Sequence, residues 1–314
     1  MFSAAVGGFM YGVPAPAPPS SPTAGWYGGG SPSTSVVSRI TFATDTDTAT
    51  ARGPLSLARR KLSGTGNLTY GWFGGGLTGT VVSTVDRITY STDTATASVR
   101  GPLSFAISDL ASTGNSTDGW FGGGGDSALF ITTVNRITYA TDTATSSVRG
   151  PLSAARYKFS ASTDGTTYGW FGGGKIGAPT YTLSTVDRIT YATDTATASV
   201  RGPLSIARLA TGATGTSTYG WFGGGNAYPV VSTIDRITYA TDTATASVRG
   251  PLSSAKYAVS GSTDNTTYGW FGSGAYPAVS TVDRITYATD TATASIRGPL
   301  SSTKYEMAAT SGIQ

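Results

Sequence analysis

A tryptophan returns at regular intervals along almost the whole chain, at Trp26, Trp72, Trp120, Trp170, Trp221 and Trp270. Each tryptophan lies in a segment that reads GWYGGG or GWF followed by glycine, and the sequence contains no tryptophan elsewhere. The period is about 49 residues, and the copies are rich in Thr, Val, Tyr and Gly without the spacing of an amphipathic helix. The sequence therefore predicts six copies of one β-structured unit that pack against one another.

The fourth copy shows how the unit is built. It reads ARYKFSAS, a TDGTT turn, YGWFGGG, a link of variable length, STVDRITYA, a TDTAT turn and ASVRGPLS. Tyr157 and Phe159 alternate with polar residues in the first run, Ile189 and Tyr191 do so in the third, and Val200 lies in the fourth. Because runs joined by short turns pair as antiparallel neighbours, the unit is predicted to be a four-stranded sheet with strands a, b, c and d in chain order.

The two ends of the sequence predict how the units are arranged. No copy of strand a precedes Trp26, whereas Lys304, Tyr305 and Met307 near the carboxyl end match the start of strand a and no strand b follows. A last strand that completes the first sheet would leave no exposed sheet edge, whereas an open solenoid would carry polar capping repeats. We therefore predict an all-β fold, a six-bladed β-propeller of four-stranded antiparallel blades over residues 25–314, preceded by a Pro-rich arm over residues 1–24.

Nearly all the variation in length between copies lies in the link between strands b and c. In an antiparallel blade this link and the d-to-a connection lie at one end, and the two short turns lie at the other. Loops that differ between repeats usually carry the binding function. The candidate binding residues in these variable loops are Leu77, Phe130, Lys175, Tyr181, Tyr228 and Tyr276.

The residues that recur in every copy are predicted to be structural. The six tryptophans keep the same place inside strand b, which favours packing between blades over a ring of indoles that stack on sugars. Arg188, Asp194 and Arg201 represent a second recurrent set, and we expect either a carboxylate between the two arginines or a wide turn that separates them. The Asp that precedes the first Arg is replaced by Ser38 and Asn135 in two copies.

The composition leaves few groups for catalysis. The chain has no His and no Cys, and Glu306 is its one Glu. Most Asp residues recur at the same repeat positions, and the exceptions Asp47, Asp109, Asp118 and Asp126 are expected in separate loops or turns. A single Asp with Thr hydroxyls makes a poor Ca²⁺ cage. We therefore expect a protein without enzymatic activity, catalytic residues, cofactor or metal.

Charge and hydropathy argue against two classes of partner. The net charge is +4, and the only basic run, from Arg59 to Lys61, is interpreted as a solvated turn. A nucleic-acid surface would need a denser stripe of cations, so we predict no nucleic-acid partner. No apolar stretch reaches the length of a membrane span and the amino-terminal residues lack the basic start of a secretory signal, so we predict no membrane insertion.

The amino-acid sequence of the repeat resembles two groups of known proteins. GWFGGG followed by DRITYATDT resembles the kelch family of β-propellers, although Thr197 stands where the kelch pattern has a Trp shortly after Tyr191. The His and Cys ligands of the copper-radical kelch oxidases are missing, so that activity is not implied. YGWFGGG with STVDRITYATDTATASVRGPLS also resembles repeat proteins of marine tailed phages, especially cyanophages, which are virion components.

The second resemblance implies a non-enzymatic structural or adhesion protein of a tailed bacteriophage, located in the virion after assembly in the host cytoplasm. It would be a tail, fibre or capsid-decorating component that binds other virion proteins, through the arm, and host-surface glycan. The first alternative is a glycan-binding propeller with Tyr181, Tyr228, Tyr276 and Phe130 as stacking residues. A hydrolase or lyase is the third hypothesis.

Overall fold

Six four-stranded antiparallel sheets form a ring in the computed structural model, which describes residues 21–125, 129–177, 181–275 and 277–312. In these ranges the sheets, or blades, contain 24 strands, and the predicted six-bladed propeller is confirmed. In every blade the strands are hydrogen-bonded in the order a, b, c, d. The six a strands contact one another in sequence around the axis, so that each blade begins at the axis and ends at the rim.

The strands of the first three blades have the following bounds. Blade 1 contains β1 (Ala24–Gly28), β2 (Val37–Thr41) and β3 (Thr50–Arg52), with β24 (Ala308–Thr310) as its a strand. Blade 2 contains β4 (Ser63–Gly66), β5 (Tyr70–Gly74), β6 (Val85–Thr89) and β7 (Ser98–Arg100). Blade 3 contains β8 (Ala111–Gly114), β9 (Asp118–Gly122), β10 (Val134–Thr138) and β11 (Ser147–Arg149).

The other three blades follow the same plan. Blade 4 contains β12 (Ser160–Thr163), β13 (Tyr168–Gly172), β14 (Val186–Thr190) and β15 (Ser199–Arg201). Blade 5 contains β16 (Gly212–Gly215), β17 (Tyr219–Gly223), β18 (Ile234–Thr238) and β19 (Ser247–Arg249). Blade 6 contains β20 (Ser260–Thr263), β21 (Tyr268–Gly274), β22 (Val279–Thr286) and β23 (Ser295–Arg297). One turn of 3-10 helix follows each c strand, at Phe42–Thr44, Tyr90–Thr92, Tyr139–Thr141, Tyr191–Thr193, Tyr239–Thr241 and Tyr287–Thr289.

The carboxyl-terminal strand closes the ring, as the sequence predicts. β24 pairs antiparallel with β1, and Tyr27 lies opposite Ala309. The amide of Ser31 donates a hydrogen bond of 2.7 Å to the carbonyl oxygen of Tyr305. The first strand begins at Ala24, and residues 1–20 of the predicted arm lie outside the described residues.

The a strands are shorter than the sequence pattern predicts. In blade 4 the predicted strand includes Tyr157 and Phe159, but β12 begins at Ser160. Lys158 has a φ of 54°, in the left-handed region, and this conformation interrupts an extended strand. Tyr157 instead forms an isolated bridge to Lys175 in the b-to-c link, while the side chain of Phe159 is buried.

Adjacent blades are joined by stacked aromatic rings. The indole of Trp170 stacks on the ring of Tyr239 in the next blade, with ring centroids 3.8 Å apart. Where blade 6 meets blade 1, Phe42 takes the tyrosine's place against Trp270. The other four junctions repeat the contact between tryptophan and tyrosine, in the pairs Trp26 with Tyr90, Trp72 with Tyr139, Trp120 with Tyr191 and Trp221 with Tyr287.

The recurrent tryptophans form the core of the junctions. All six tryptophans are at most 5% exposed, and Trp72, Trp170 and Trp270 are completely buried. Burial of each aromatic side chain contributes a few kcal/mol, roughly 25 cal/mol for each Å² of apolar surface. The six indoles are therefore used in packing between blades, and none of them forms an exposed ring for sugar stacking.

One aspartate at each junction interacts with three side chains of the preceding blade: it accepts hydrogen bonds from the tryptophan and one arginine and forms a longer ion pair with a second arginine. Asp194 in blade 4 accepts a hydrogen bond of 2.8 Å from the Trp120 indole and one of 3.1 Å from Arg136, and Arg149 lies 3.5 Å from the same oxygen. The equivalent indole bonds are those of Trp26 to Asp93, Trp72 to Asp142, Trp170 to Asp242, Trp221 to Asp290 and Trp270 to Asp45.

The recurrent arginines are separated within each blade and joined through the next one. Arg188 faces Ser199 while Arg201 faces Val186, so the two guanidinium groups are not directly opposite. The structure thus contains both expected features, a wide turn and a bridging carboxylate. The carboxylate comes from the following blade.

Candidate binding sites

The b-to-c links and the d-to-a connections lie together on one face of the ring, which we call the variable face. Among the described residues of this face, the exposed aromatic side chains are Tyr181 in blade 4 and Tyr228 in the neighbouring blade 5, with 58% and 63% of their surface accessible. Leu129, which the sequence did not single out, is 64% exposed in blade 3. These three side chains present apolar surface to solvent in adjacent sectors of the ring.

The remaining candidate loop residues are less accessible to a binding partner. The ring of Phe130 stacks on Tyr157 with centroids 4.2 Å apart, which covers one face of a side chain expected to stack on a ligand. Leu77 forms bridges with Arg60 and Val81 and is half-buried. Lys175 is also half-buried and forms bridges with Tyr157 and Thr182, and Tyr276 lies outside the described residues.

A second site lies at the axis, where the d-to-a connection of each blade turns inward. One residue of each connection adopts a φ of 54–58°, and these residues form what we call the axial ring: Lys61, Asp109, Lys158, Ala210, Ala258 and Glu306. The amide of one member donates to the carbonyl oxygen of the preceding member, for example from Ala210 to Lys158 at 2.6 Å. These bonds join backbone atoms, and the residue type at this position differs between blades.

The side chains of the axial ring differ in charge from blade to blade, so they do not follow the sixfold repeat. The ammonium group of Lys61 lies 3.1 Å from Asp109, and Lys158 and Arg60 each lie 3.8 Å from carboxylate oxygens of Glu306. Burial raises the pKa of Glu306, whereas the charges of Lys61 and Lys158 act to lower it. Beneath these residues lies a cavity of about 80 Å³, which has room for a few water molecules and no sugar ring.

The four exceptional aspartates are distributed differently from the expectation. Asp109 belongs to the axial ring, near Glu306. Asp118 is the first residue of β9 rather than a loop residue, and it accepts a hydrogen bond of 2.6 Å from Thr138. Asp47 lies in an exposed turn, and Asp126 lies outside the described residues. No group of three or more acidic ligands that could hold a metal ion occurs in the described part of the chain.

The interpretation of Arg59 to Lys61 as a solvated turn is wrong. The guanidinium of Arg59 is fully buried and donates a hydrogen bond of 2.8 Å to Asp86. Burial lowers the pKa of Arg59, and the nearby Asp86 charge opposes this shift. Lys61 points into the axial ring, so that only Arg60, with a side chain 37% exposed, is substantially in solvent. Each of the three cations of this run therefore has an acidic partner.

The buried pair of Arg59 and Asp86 has equivalents that explain the two missing aspartates. Blades 4, 5 and 6 contain the pairs Arg156 with Asp187, Arg208 with Asp235, and Lys256 with Asp283. In blade 3 the cation is replaced by Ile107, and the neutral Asn135 replaces the carboxylate. A buried carboxylate without its cation would be costly, so the two replacements compensate each other.

Blade 1 lacks the carboxylate and keeps the cation. Lys304 is 2% exposed, and its ammonium group donates to the carbonyl oxygens of Tyr27 at 3.2 Å and Val36 at 3.0 Å. Ser38 occupies the position of the missing aspartate. Burial lowers the pKa of Lys304 to about 8. This lysine links the carboxyl-terminal segment to β1 and to the residue that precedes β2.

The site geometry and the fold define a β-propeller in which the recurrent side chains hold the blades together. No protein-family model matches this chain, and no curated protein matches it. Among the described residues, no helix has the length and apolar character needed to cross a membrane.

Proposed function

We propose that this propeller is a non-enzymatic structural and adhesion component of a tailed-phage particle. The observation that carries the proposal is that the repeated residues and the variable residues have different roles. The indole of Trp170 and the guanidinium groups of Arg188 and Arg201 are used in contacts between blades, whereas Tyr181 and Tyr228 are exposed in loops of the variable face. The resemblance of the repeat sequence to the repeats of virion proteins supports a location in a phage particle.

Two surfaces have separate roles in this proposal. The Pro-rich segment that precedes β1 binds another particle protein, because a proline-rich sequence loses little conformational entropy on docking. The variable face contacts the host surface or a neighbouring virion protein through the exposed rings of Tyr181 and Tyr228. Aromatic side chains of this kind commonly dominate binding energy at interfaces.

The first experiment asks whether the chain is part of the particle. Mass spectrometry of gradient-purified phage particles should detect the chain in a fixed ratio to the major capsid protein. Electron microscopy with an antibody against the propeller should then place it at one location. Recovery of the chain only from the soluble fraction of the lysate would contradict the proposal.

The second experiment tests the variable face. Tyr181→Ala and Tyr228→Ala should each weaken adsorption of the particle to its host by about 5- to 30-fold, which corresponds to about 1–2 kcal/mol. Val200→Ala is the matched control, because Val200 is 59% exposed on strand β15. If all three variants adsorb like the parent, the variable face is not the contact surface.

A glycan-binding propeller is the second candidate function. The observation that favours it is the exposure of two tyrosine rings in adjacent blades, since such rings offer flat apolar faces to sugars. Purified protein should then bind a defined set of glycans on an array, and Tyr181→Ala or Tyr228→Ala should abolish the signal. An array without any bound glycan would leave only protein partners for this face.

A further inference from the structure

Strand b begins with a tyrosine in four of the six blades, at Tyr70, Tyr168, Tyr219 and Tyr268. In blade 4 the ring of Tyr168 packs edge-on against Trp170, with centroids 5.7 Å apart. The guanidinium of Arg188 lies over the same ring, 4.2 Å from its centroid. The other three tyrosines make the same two contacts, so the fold contains a place shaped for a phenol ring between a tryptophan and an arginine.

Blade 1 has Ala24 at this position, and the place is open. A cavity of about 440 Å³ lies there, bounded by Ala24, Trp26 and Arg39 of blade 1 and by Leu68 and Tyr90 of blade 2. The Arg39 side chain is 28% exposed, whereas the equivalent arginines beneath a tyrosine are 19–20% exposed. The absence of a tyrosine ring in blade 1 therefore creates the cavity and exposes more of the Arg39 side chain to solvent.

This cavity is larger than two cavities near the axis. The axial cavity of about 80 Å³ and the channel of about 120 Å³ between the a strands are too small for an organic ligand. The blade 1 cavity lies within the range of about 300–1,000 Å³ that is typical of ligand sites. It also combines apolar and polar walls, because Leu68 and Pro22 line it together with the hydroxyl-bearing Thr41, Thr69 and Ser91.

In blade 3 the equivalent arginine, Arg136, has a carboxylate partner instead of a tyrosine ring. There Asp118 replaces the tyrosine, and its carboxylate lies 3.6 Å from Arg136. Ala24 offers neither a ring face nor a carboxylate to Arg39, whose one nearby acid is the inter-blade Asp93 at 3.1 Å. The guanidinium is therefore able to accept an incoming ring as a cation–π partner.

We propose that the blade 1 cavity is a docking site for a tyrosine side chain of a polypeptide partner. The four tyrosines of the other blades provide the template, because the same chain already places a phenol ring between these two side-chain types. In the complex the partner's ring packs against the edge of Trp26 and beneath Arg39, and its hydroxyl faces the hydroxyl groups of the wall. The inference does not depend on the phage proposal, since it concerns the isolated protein.

The test uses the full chain and N-acetyl-L-tyrosinamide as the probe, with binding followed by NMR titration. The parent should bind one equivalent, and Ala24→Tyr should weaken binding at least 10-fold by filling the cavity with the protein's own ring. Tyr70→Ala is the matched variant, because it opens the equivalent place in blade 2 and should add a second binding site. Thermal unfolding of each variant shows whether it is folded, and Ala24→Tyr should be at least as stable as the parent.

Several results would overturn the proposal. The parent protein would not bind the probe, or a folded Ala24→Tyr variant would bind it as tightly as the parent does. A preference of the parent for methyl glucuronide over the tyrosine probe would assign the cavity to a sugar. The segment before Ser21 has three aromatic residues of its own, Phe2, Phe9 and Tyr11, and binding that appears only after all three are replaced by alanine would assign the cavity to the chain itself. None of these results bears on whether the protein is present in particles, so the two proposals fail separately.

Discussion

Replacement of Gly202 by alanine should destabilise the propeller by about 3 kcal/mol or more. A Cβ at this position would lie 2.0 Å from the carbonyl oxygen of Ala244 in the next blade. The contact is with backbone, which cannot move aside as a flexible side chain can. The Gly202 amide also donates a hydrogen bond of 2.8 Å to the carbonyl oxygen of Asp242, so a shift of either strand would break this link between blades.

Denaturant unfolding of the purified variant measures the loss. Gly79→Ala is the matched control, because a Cβ there would meet no atom within 4 Å. The control should be unchanged or up to about 1 kcal/mol more stable, since alanine restricts the unfolded chain. Equal stability of Gly202→Ala and the parent would show that the blades are not packed as closely as the structure has them.

Replacement of Asp194 by alanine should cost about 3–5 kcal/mol. The carboxylate accepts hydrogen bonds from the Trp120 indole and the Arg136 guanidinium, and it forms an ion pair with Arg149 at 3.5 Å. Its removal leaves a buried N–H group without an acceptor and Arg149 without its counter-charge, while Arg136 keeps the Asp118 carboxylate 3.6 Å away. The arginine side chains are 20–26% exposed to water, so the loss should lie at the lower end of this range.

Thermal and denaturant unfolding compare this variant with Asp47→Ala. Asp47 is an aspartate in the equivalent turn of blade 1, but it is exposed. The control should change the free energy of unfolding by less than about 0.5 kcal/mol. If the two variants lose the same stability, the junction aspartates are not the shared acceptors of the blade contacts.

The sequence predicted the blades and the closure because both follow from periodicity. Recurrent Trp170 and the constant separation of Arg188 from Arg201 indicate one unit, and the missing first strand indicates its partner at the other end. Periodicity could not show that the carboxylate near Arg188 comes from Asp242 of the next blade, because every copy offers an identical candidate. The contact between blades is visible only in three dimensions.

The sites were predicted less completely, for a related reason. A comparison of the copies shows Ala24 where four others have Tyr, but the cavity also depends on Leu68 and Tyr90 of another blade. The axial ring was missed because Lys158 and its equivalents share a left-handed φ that no glycine marks. The buried role of Arg59 could have been inferred from its pairing with Asp86, since Ile107 and Asn135 replace the two together.

Cross-linking of the two chain ends tests whether the ring is closed. The chain has no cysteine, so Ser31→Cys with Tyr305→Cys introduces one unique pair at positions that are hydrogen-bonded between the first and last repeats. Closure predicts that the pair oxidises readily in the folded protein and raises its stability by about 3–5 kcal/mol, because a long loop is constrained in the unfolded chain. Ser31→Cys with Tyr257→Cys, which moves the second cysteine to the equivalent place one blade earlier, should not cross-link. Failure of the first pair to oxidise, or equal oxidation of both pairs, would contradict a ring sealed by the carboxyl-terminal strand.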